Sequence, residues 1–76
     1  MCLAIPGLVV ELSAEEDALA RTALVDFGGV RRRVNLALVP EAGPGDWVVV
    51  HVGVAIARLD AAAADAWLAE LRRLAP

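Results

Sequence analysis

Leu24-Val25-Asp26-Phe27-Gly28-Gly29-Val30-Arg31-Arg32-Arg33-Val34 is the stretch on which the fold turns. Upstream, residues Ala18 to Phe27 place Leu19, Ala23, Val25 and Phe27 on one parity, the alternation of a half-buried strand. Gly28-Gly29 then stands between two strand-like runs. Glycine accepts the positive φ that a two-residue hairpin turn demands at both positions. Val30 to Leu36 is therefore the predicted return strand, with Val30, Val34 and Leu36 on one face and Arg31, Arg33 and Asn35 on the other. Arg32 falls on the apolar parity, which an edge position or a bulge would explain.

Moving toward the C-terminus, two prolines and two glycines between Pro40 and Asp46 mark a loop. Trp47 to Val52 is apolar on both parities, the pattern of a strand covered on both faces. Gly53 interrupts it, and Val54 to Leu59 continues as a bent or separate strand. Asp60 is a candidate N-cap. Beyond it Ala64, Trp67, Leu68, Leu71, Leu74 and Ala75 recur at helical spacing and predict a helix over 61–74 with Arg72 and Arg73 in its last turn. Toward the N-terminus, Ser13 to Asp17 reads as an exposed acidic turn. Leu3 to Leu12 reads as a segment broken early by Pro6-Gly7, with a strand after the break through Val9 and Val10. Four or five short antiparallel strands and one helix make a mostly β protein. The natural closure is a small, partly open, OB-like antiparallel β-barrel over about residues 3–59, followed by a C-terminal α-helix.

Size and composition bound the function. With 76 residues the chain is expected to form a single domain, 1–76. A domain of this size buries only about 60% of its unfolded surface and has little room for a deep pocket. It is 59% hydrophobic and 22% charged, with a net charge of −3. An acidic chain with three aromatic residues, Phe27, Trp47 and Trp67, lacks the basic groove and stacking platforms of a nucleic-acid-binding barrel. No apolar run is long enough to span a membrane, and no signal peptide is evident, so a cytoplasmic location is expected. The single cysteine excludes an internal disulfide and suits a reducing compartment.

Few side chains can carry chemistry: one Cys, one His, no Tyr and no Lys. A closed structural zinc site needs four protein ligands, which this pair cannot supply alone. A Ser-His-Asp arrangement written from Ser13 and His51 has no visible oxyanion hole. A thiol enzyme built on Cys2 and His51 needs a shielded pocket and a third orienting group, and the chain is expected to be no enzyme. Cys2 directly follows Met1. Small residues at position 2 permit removal of the initiator, which would leave Cys2 with an α-amine of pKa about 8 beside a thiol of about 8.5. Together these can chelate a transition metal. Read as structure alone, Cys2 is a small apolar residue at a chain end. His51 has Trp47, Val49 and Gly53 on its parity, and Gly53 leaves open space beside the imidazole. Read as structure alone, it is a packed or hydrogen-bonded histidine on a barrel surface.

Met1-Cys2-Leu3-Ala4-Ile5-Pro6-Gly7 resembles the N-terminal signature of the HypC/HupF/HybG family of NiFe-hydrogenase maturation chaperones. Three further stretches are similar in order and spacing: Asp26-Phe27-Gly28-Gly29-Val30, Val34-Asn35-Leu36, and Gly45-Asp46-Trp47-Val48-Val49-Val50-His51-Val52-Gly53 with Ala55-Ile56. The resemblance covers almost the whole chain and implies an OB-like barrel with a C-terminal helix. It also implies a partner, the HypD scaffold protein, on which an iron atom receives cyanide and carbon monoxide. The Fe(CN)2CO group is then delivered to the precursor of the hydrogenase large subunit, with the iron held transiently and shared with the partner. The resemblance places the family's essential cysteine at Cys2, with Met1 removed, and its functional histidine at His51. The Pro6-Gly7 turn becomes the element that presents the cysteine. Metal ligation is thereby expected of Cys2 and His51, and partner binding of Cys2, Leu3, Ala4, Ile5, Pro6, Gly7, His51 and Gly53. Leu8 stands where the family usually has a basic residue, and Val54 where it often has an aromatic one. A paralogous chaperone of the same fold, serving a different maturation step, is the alternative.

Overall fold

The Gly28-Gly29 pair closes a hairpin in the computed structural model, which describes residues 4–14, 17 and 20–74. Both glycines have positive φ, 68° and 102°, and Asp26 Oδ1 accepts the Gly29 N–H at 2.6 Å. The strands on either side are β2 (Thr22–Phe27) and β3 (Val30–Asn35), paired antiparallel along their full length from Thr22–Asn35 to Phe27–Val30. Ala23 and Val25 are buried, as their parity predicted, whereas Val30 at the hairpin end is exposed. Ala18 and Leu19, placed in this strand by the alternation, lie outside the described residues.

The remaining elements are β1 (Ile5–Leu12), β4 (Trp47–His51), β5 (Val54–Leu59) and α1 (Ala61–Leu74). The strands close in the order β1-β2-β3-β5-β4, with β1 pairing antiparallel to both β2 and β4. This is a mostly β, OB-like barrel with one C-terminal helix. It is closed rather than partly open, but the closure is narrow: β3 meets β5 in parallel at the single pair Asn35–Val54. The outer edge of β3 is therefore uncovered over most of its length. That accounts for Arg32, which pairs with buried Val25 yet is itself exposed, as are Arg31 and Arg33. A guanidinium at such an edge stays hydrated and discourages pairing with other chains.

Pro6-Gly7 does not break the first segment. Both residues lie inside β1, with Pro6 opposite Val49 and Gly7 opposite Val48. The strand continues because a Cβ at Gly7 would collide with Val25 Cγ1 and lie 2.6 Å from Phe27 Cε1. Glycine here is a packing requirement of the barrel interior, not a turn former. The irregularity in β1 comes later, between Val9 and Glu11, where its pairing with β2 shifts register.

The interior cluster joins Val9, Ala23, Val25, Val34, Leu36, Val48, Val50 and Ala55 to Val39 and Ala42. The last two belong to the loop that leads to β4, so this loop plugs the barrel as well as connecting it. Its backbone turns on itself through Val39 N–H to Leu36 O and Ala42 N–H to Val39 O, both 3.0 Å. Asp46 Oδ2 then accepts the Gly43 N–H at 2.8 Å. Ser13, expected in an exposed turn, is half-buried and joined to Thr22 in both directions. Its N–H donates to Thr22 O at 2.8 Å, and its Oγ accepts the Thr22 N–H at 3.1 Å.

β4 carries the pattern expected of a doubly covered strand. Val48 and Val50 point into the cluster, and Val49 points outward yet is 3% exposed. α1 packs on β1, the strand beside β4. Asp60 caps the helix, with Oδ1 accepting the Ala63 N–H at 2.7 Å. The alanine run that follows has the highest helix propensity and minimal bulk, and Ala64 is fully buried. Trp67, Leu68 and Leu71 follow on the same stripe at intermediate burial. Leu74 does not: it is 79% exposed, because the stripe outruns the barrel it covers. Ala75 lies outside the described residues.

Candidate functional site

His51 is the last residue of β4. Alternation along the strand puts its imidazole on the outer face with Trp47 and Val49, and it is exposed. It pairs with Val54 of β5 across a two-residue turn made by Val52 and Gly53. Both turn residues have positive φ, 51° and 76°, the signature of the tight hairpin turn that matches strand twist. Gly53 thus marks a turn between separate strands, not a bend within one. A Cβ built at Gly53 meets nothing within 4 Å, so the turn is uncrowded on that side. The Gly53 carbonyl accepts the Asn35 N–H at 2.9 Å, which ties the turn to the closing pair of the barrel.

On the other flank of β4 the register sets Ile5 against Val50 and Pro6 against Val49. Ile5–Val50 is the last pair between the two strands, with Ala4 preceding Ile5 and His51 following Val50 along the chain. Cys2 and Leu3 lie outside the described residues. Of the sequence-predicted residues, Ile5 and Pro6 are brought beside β4, the strand that ends in His51. Gly7 is not part of this surface, since it faces the barrel interior.

A shallow cleft of about 220 Å³ opens beside the same end of β1, lined by Ile5, Pro6, Phe27, Trp47, Leu68 and Arg72. Apart from Arg72, the side chains that line it are apolar. His51 does not line it. Sequence reasoning missed this cleft because α1 and β1 lie at opposite ends of the chain, and periodicity gives no sign of which strand a helix covers. Leu8 and Val54 are both half-buried in the barrel wall, Leu8 between Asp26 and Trp47 and Val54 between His51 and Asn35.

Among the described residues, no three of His, Cys, Asp and Glu gather closely enough to hold a metal ion. His51 can offer one imidazole nitrogen to an incoming ion or accept a proton from an approaching thiol, but it needs other groups to complete a shell. No described helix is long and apolar enough to cross a membrane.

The sequence matches the HupF/HypC family over residues 1–71. It is 47% identical over 74 residues to the hydrogenase maturation factor HypC of Synechocystis sp., covering 97% of each chain. It is 46% identical to the hydrogenase maturation factor HypC of Cupriavidus necator, covering 100% of this chain and 82% of the relative. It is 38% identical to the hydrogenase maturation factor HybG of Escherichia coli K12, covering 97% of this chain and 92% of the relative. With the family matched over nearly its whole length and the barrel, hairpins and helix in the order that the motifs implied, the chain belongs to the HupF/HypC family.

Proposed function

We propose that this chain is a cytoplasmic hydrogenase maturation chaperone that carries an iron fragment and catalyses no reaction of its own. It binds a HypD-type scaffold, receives the Fe(CN)2CO group there, and passes it to the precursor of the NiFe-hydrogenase large subunit. The observation that carries this reading is the position of His51. It is exposed at the end of β4, the strand against which Ile5 and Pro6 of β1 pair. Family membership over residues 1–71 supports the same role.

The chemistry follows from the shortage of ligands. Cys2 supplies a thiolate, which binds iron strongly. His51 either ligates or orients the complex and takes the thiol proton. Two protein groups cannot close a shell around iron, so cyanide, carbon monoxide and partner groups fill the rest. A carrier must also release its cargo. Ligands on an open surface, without an enclosing cage, exchange more readily than those of a closed site. The apolar cleft beside Ile5 and Pro6 gives the scaffold a hold that does not compete with the iron.

The test is an infrared spectrum of the protein co-purified anaerobically with its co-expressed HypD-type scaffold. The expected result is a set of cyanide and carbon monoxide stretching bands that vanish when Cys2→Ala replaces the wild type, with the melting temperature unchanged. A stable complex lacking those bands in the wild type would overturn the carrier role and leave a protein-binding chaperone. No complex at all would remove the scaffold as partner.

A further inference from the structure

The two hairpins use the same turn with different residues. Between β2 and β3 it is Gly28-Gly29; between β4 and β5 it is Val52-Gly53, and all four residues have positive φ. Glycine makes this turn without steric cost, and asparagine tolerates it. Valine does not, because its branched Cβ crowds the following carbonyl in the left-handed region. A strained valine persists when packing offsets the strain. Here none does: Val52 is 73% exposed, and it is absent from the interior cluster. The fold itself gains nothing visible from Val52, and a residue held in such a conformation points to a role outside folding.

We infer that Val52 is an anchor for the scaffold partner, presented at the hairpin tip to fill an apolar pocket beside the iron-bearing site. This deepens the reading above and rests on it. Three observations choose the occupant. Val52 adjoins His51, so a partner that completes the iron's ligand shell necessarily approaches this tip. The tip is uncrowded where a Gly53 Cβ would stand, with nothing within 4 Å, and Val52 itself is 73% exposed, as an inserting element must be. The chain carries a net charge of −3, which disfavours an anionic lipid surface as the alternative receiver of an exposed apolar residue. The positive φ also has a consequence for shape. The tight turn holds the valine rigidly, so little conformational entropy is lost when it docks.

The experiment measures two properties in two variants: thermal unfolding of the free chain, and calorimetric affinity for the purified HypD-type scaffold. Val52→Asn relieves the strain and removes the apolar group. It is expected to melt at least about 4 °C higher than the wild type and to bind the scaffold about tenfold more weakly. Val52→Thr keeps the branched shape and the strain but adds a hydroxyl. It is expected to melt close to the wild type and to bind about tenfold more weakly. Wild-type affinity in Val52→Asn overturns the anchor. So does a Val52→Asn variant that gains no stability, because the strain would then be absent. If the wild type itself fails to bind the scaffold, the proposed function falls and takes the anchor with it. If the wild type binds and Val52→Asn binds equally well, the anchor falls alone.

Discussion

Phe27 lies over the backbone of Gly7, so close that a Cβ on Gly7 would sit 2.6 Å from Phe27 Cε1. The aromatic ring fills the space that a side chain on β1 would otherwise occupy, and it joins the edge of the interior cluster. Two residues that stand twenty positions apart in sequence thus share one site in the barrel wall. Gly7→Ala must push aside both Phe27 and the branched Val25. Overpacking of this kind costs about 1–3 kcal/mol, and for a domain of this size each kcal/mol lowers the melting temperature by about 4–8 °C. Thermal denaturation checks it, and an unchanged melting temperature would mean that the ring yields freely.

Leu36 is fully buried although it lies beyond the last residue of β3. It anchors the loop whose Val39 and Ala42 complete the core. Leu36→Ala is expected to cost about 2–5 kcal/mol, the range for a leucine in a well-packed core. Urea unfolding measures this as a lower midpoint at constant slope. A cost below about 1 kcal/mol would show the loop to be a loose connection.

Asp60 holds the start of α1 through a single carboxylate bond to the Ala63 N–H. Asp60→Ala removes it and is expected to cost about 1 kcal/mol, while Asp60→Asn restores most of that. The exposed Glu70–Arg73 pair at 2.7 Å contributes little by comparison, so Glu70→Ala should leave the melting temperature nearly unchanged.

Arg32 sits on the uncovered edge of β3 and is exposed. Arg32→Thr should shift stability by no more than about 0.5 kcal/mol. A larger loss on denaturant unfolding would reveal a contact that the edge account omits.

His51 is exposed and makes no packing contribution to the interior cluster. His51→Ala should therefore unfold as the wild type does, while the cyanide and carbon monoxide bands of the scaffold complex weaken without vanishing. Loss of those bands as complete as in Cys2→Ala would make His51 an equal ligand.

Local chemistry in the sequence determined the elements themselves. Gly-Gly between alternating runs specified one hairpin, Asp60 before an alanine run specified the helix start, and the unbroken apolar run from Trp47 specified a strand buried on both faces. These signals are legible because turn geometry, capping and periodicity act within a few residues. Cys2 and His51 stand out as candidates for a simpler reason: the chain offers one Cys and one His. What only the tertiary structure decided depends on residues far apart in sequence. Pro6-Gly7 continues a strand because Phe27 and Val25 take up the room above it. Arg32 tolerates an inward parity because β3 meets β5 at one pair only. Ile5 and Pro6 come beside the strand that ends in His51 because β1 and β4 are neighbours in the closed barrel. Leu74 fits the helical stripe yet faces solvent, since amphipathic spacing defines a face but not how far the covered surface extends.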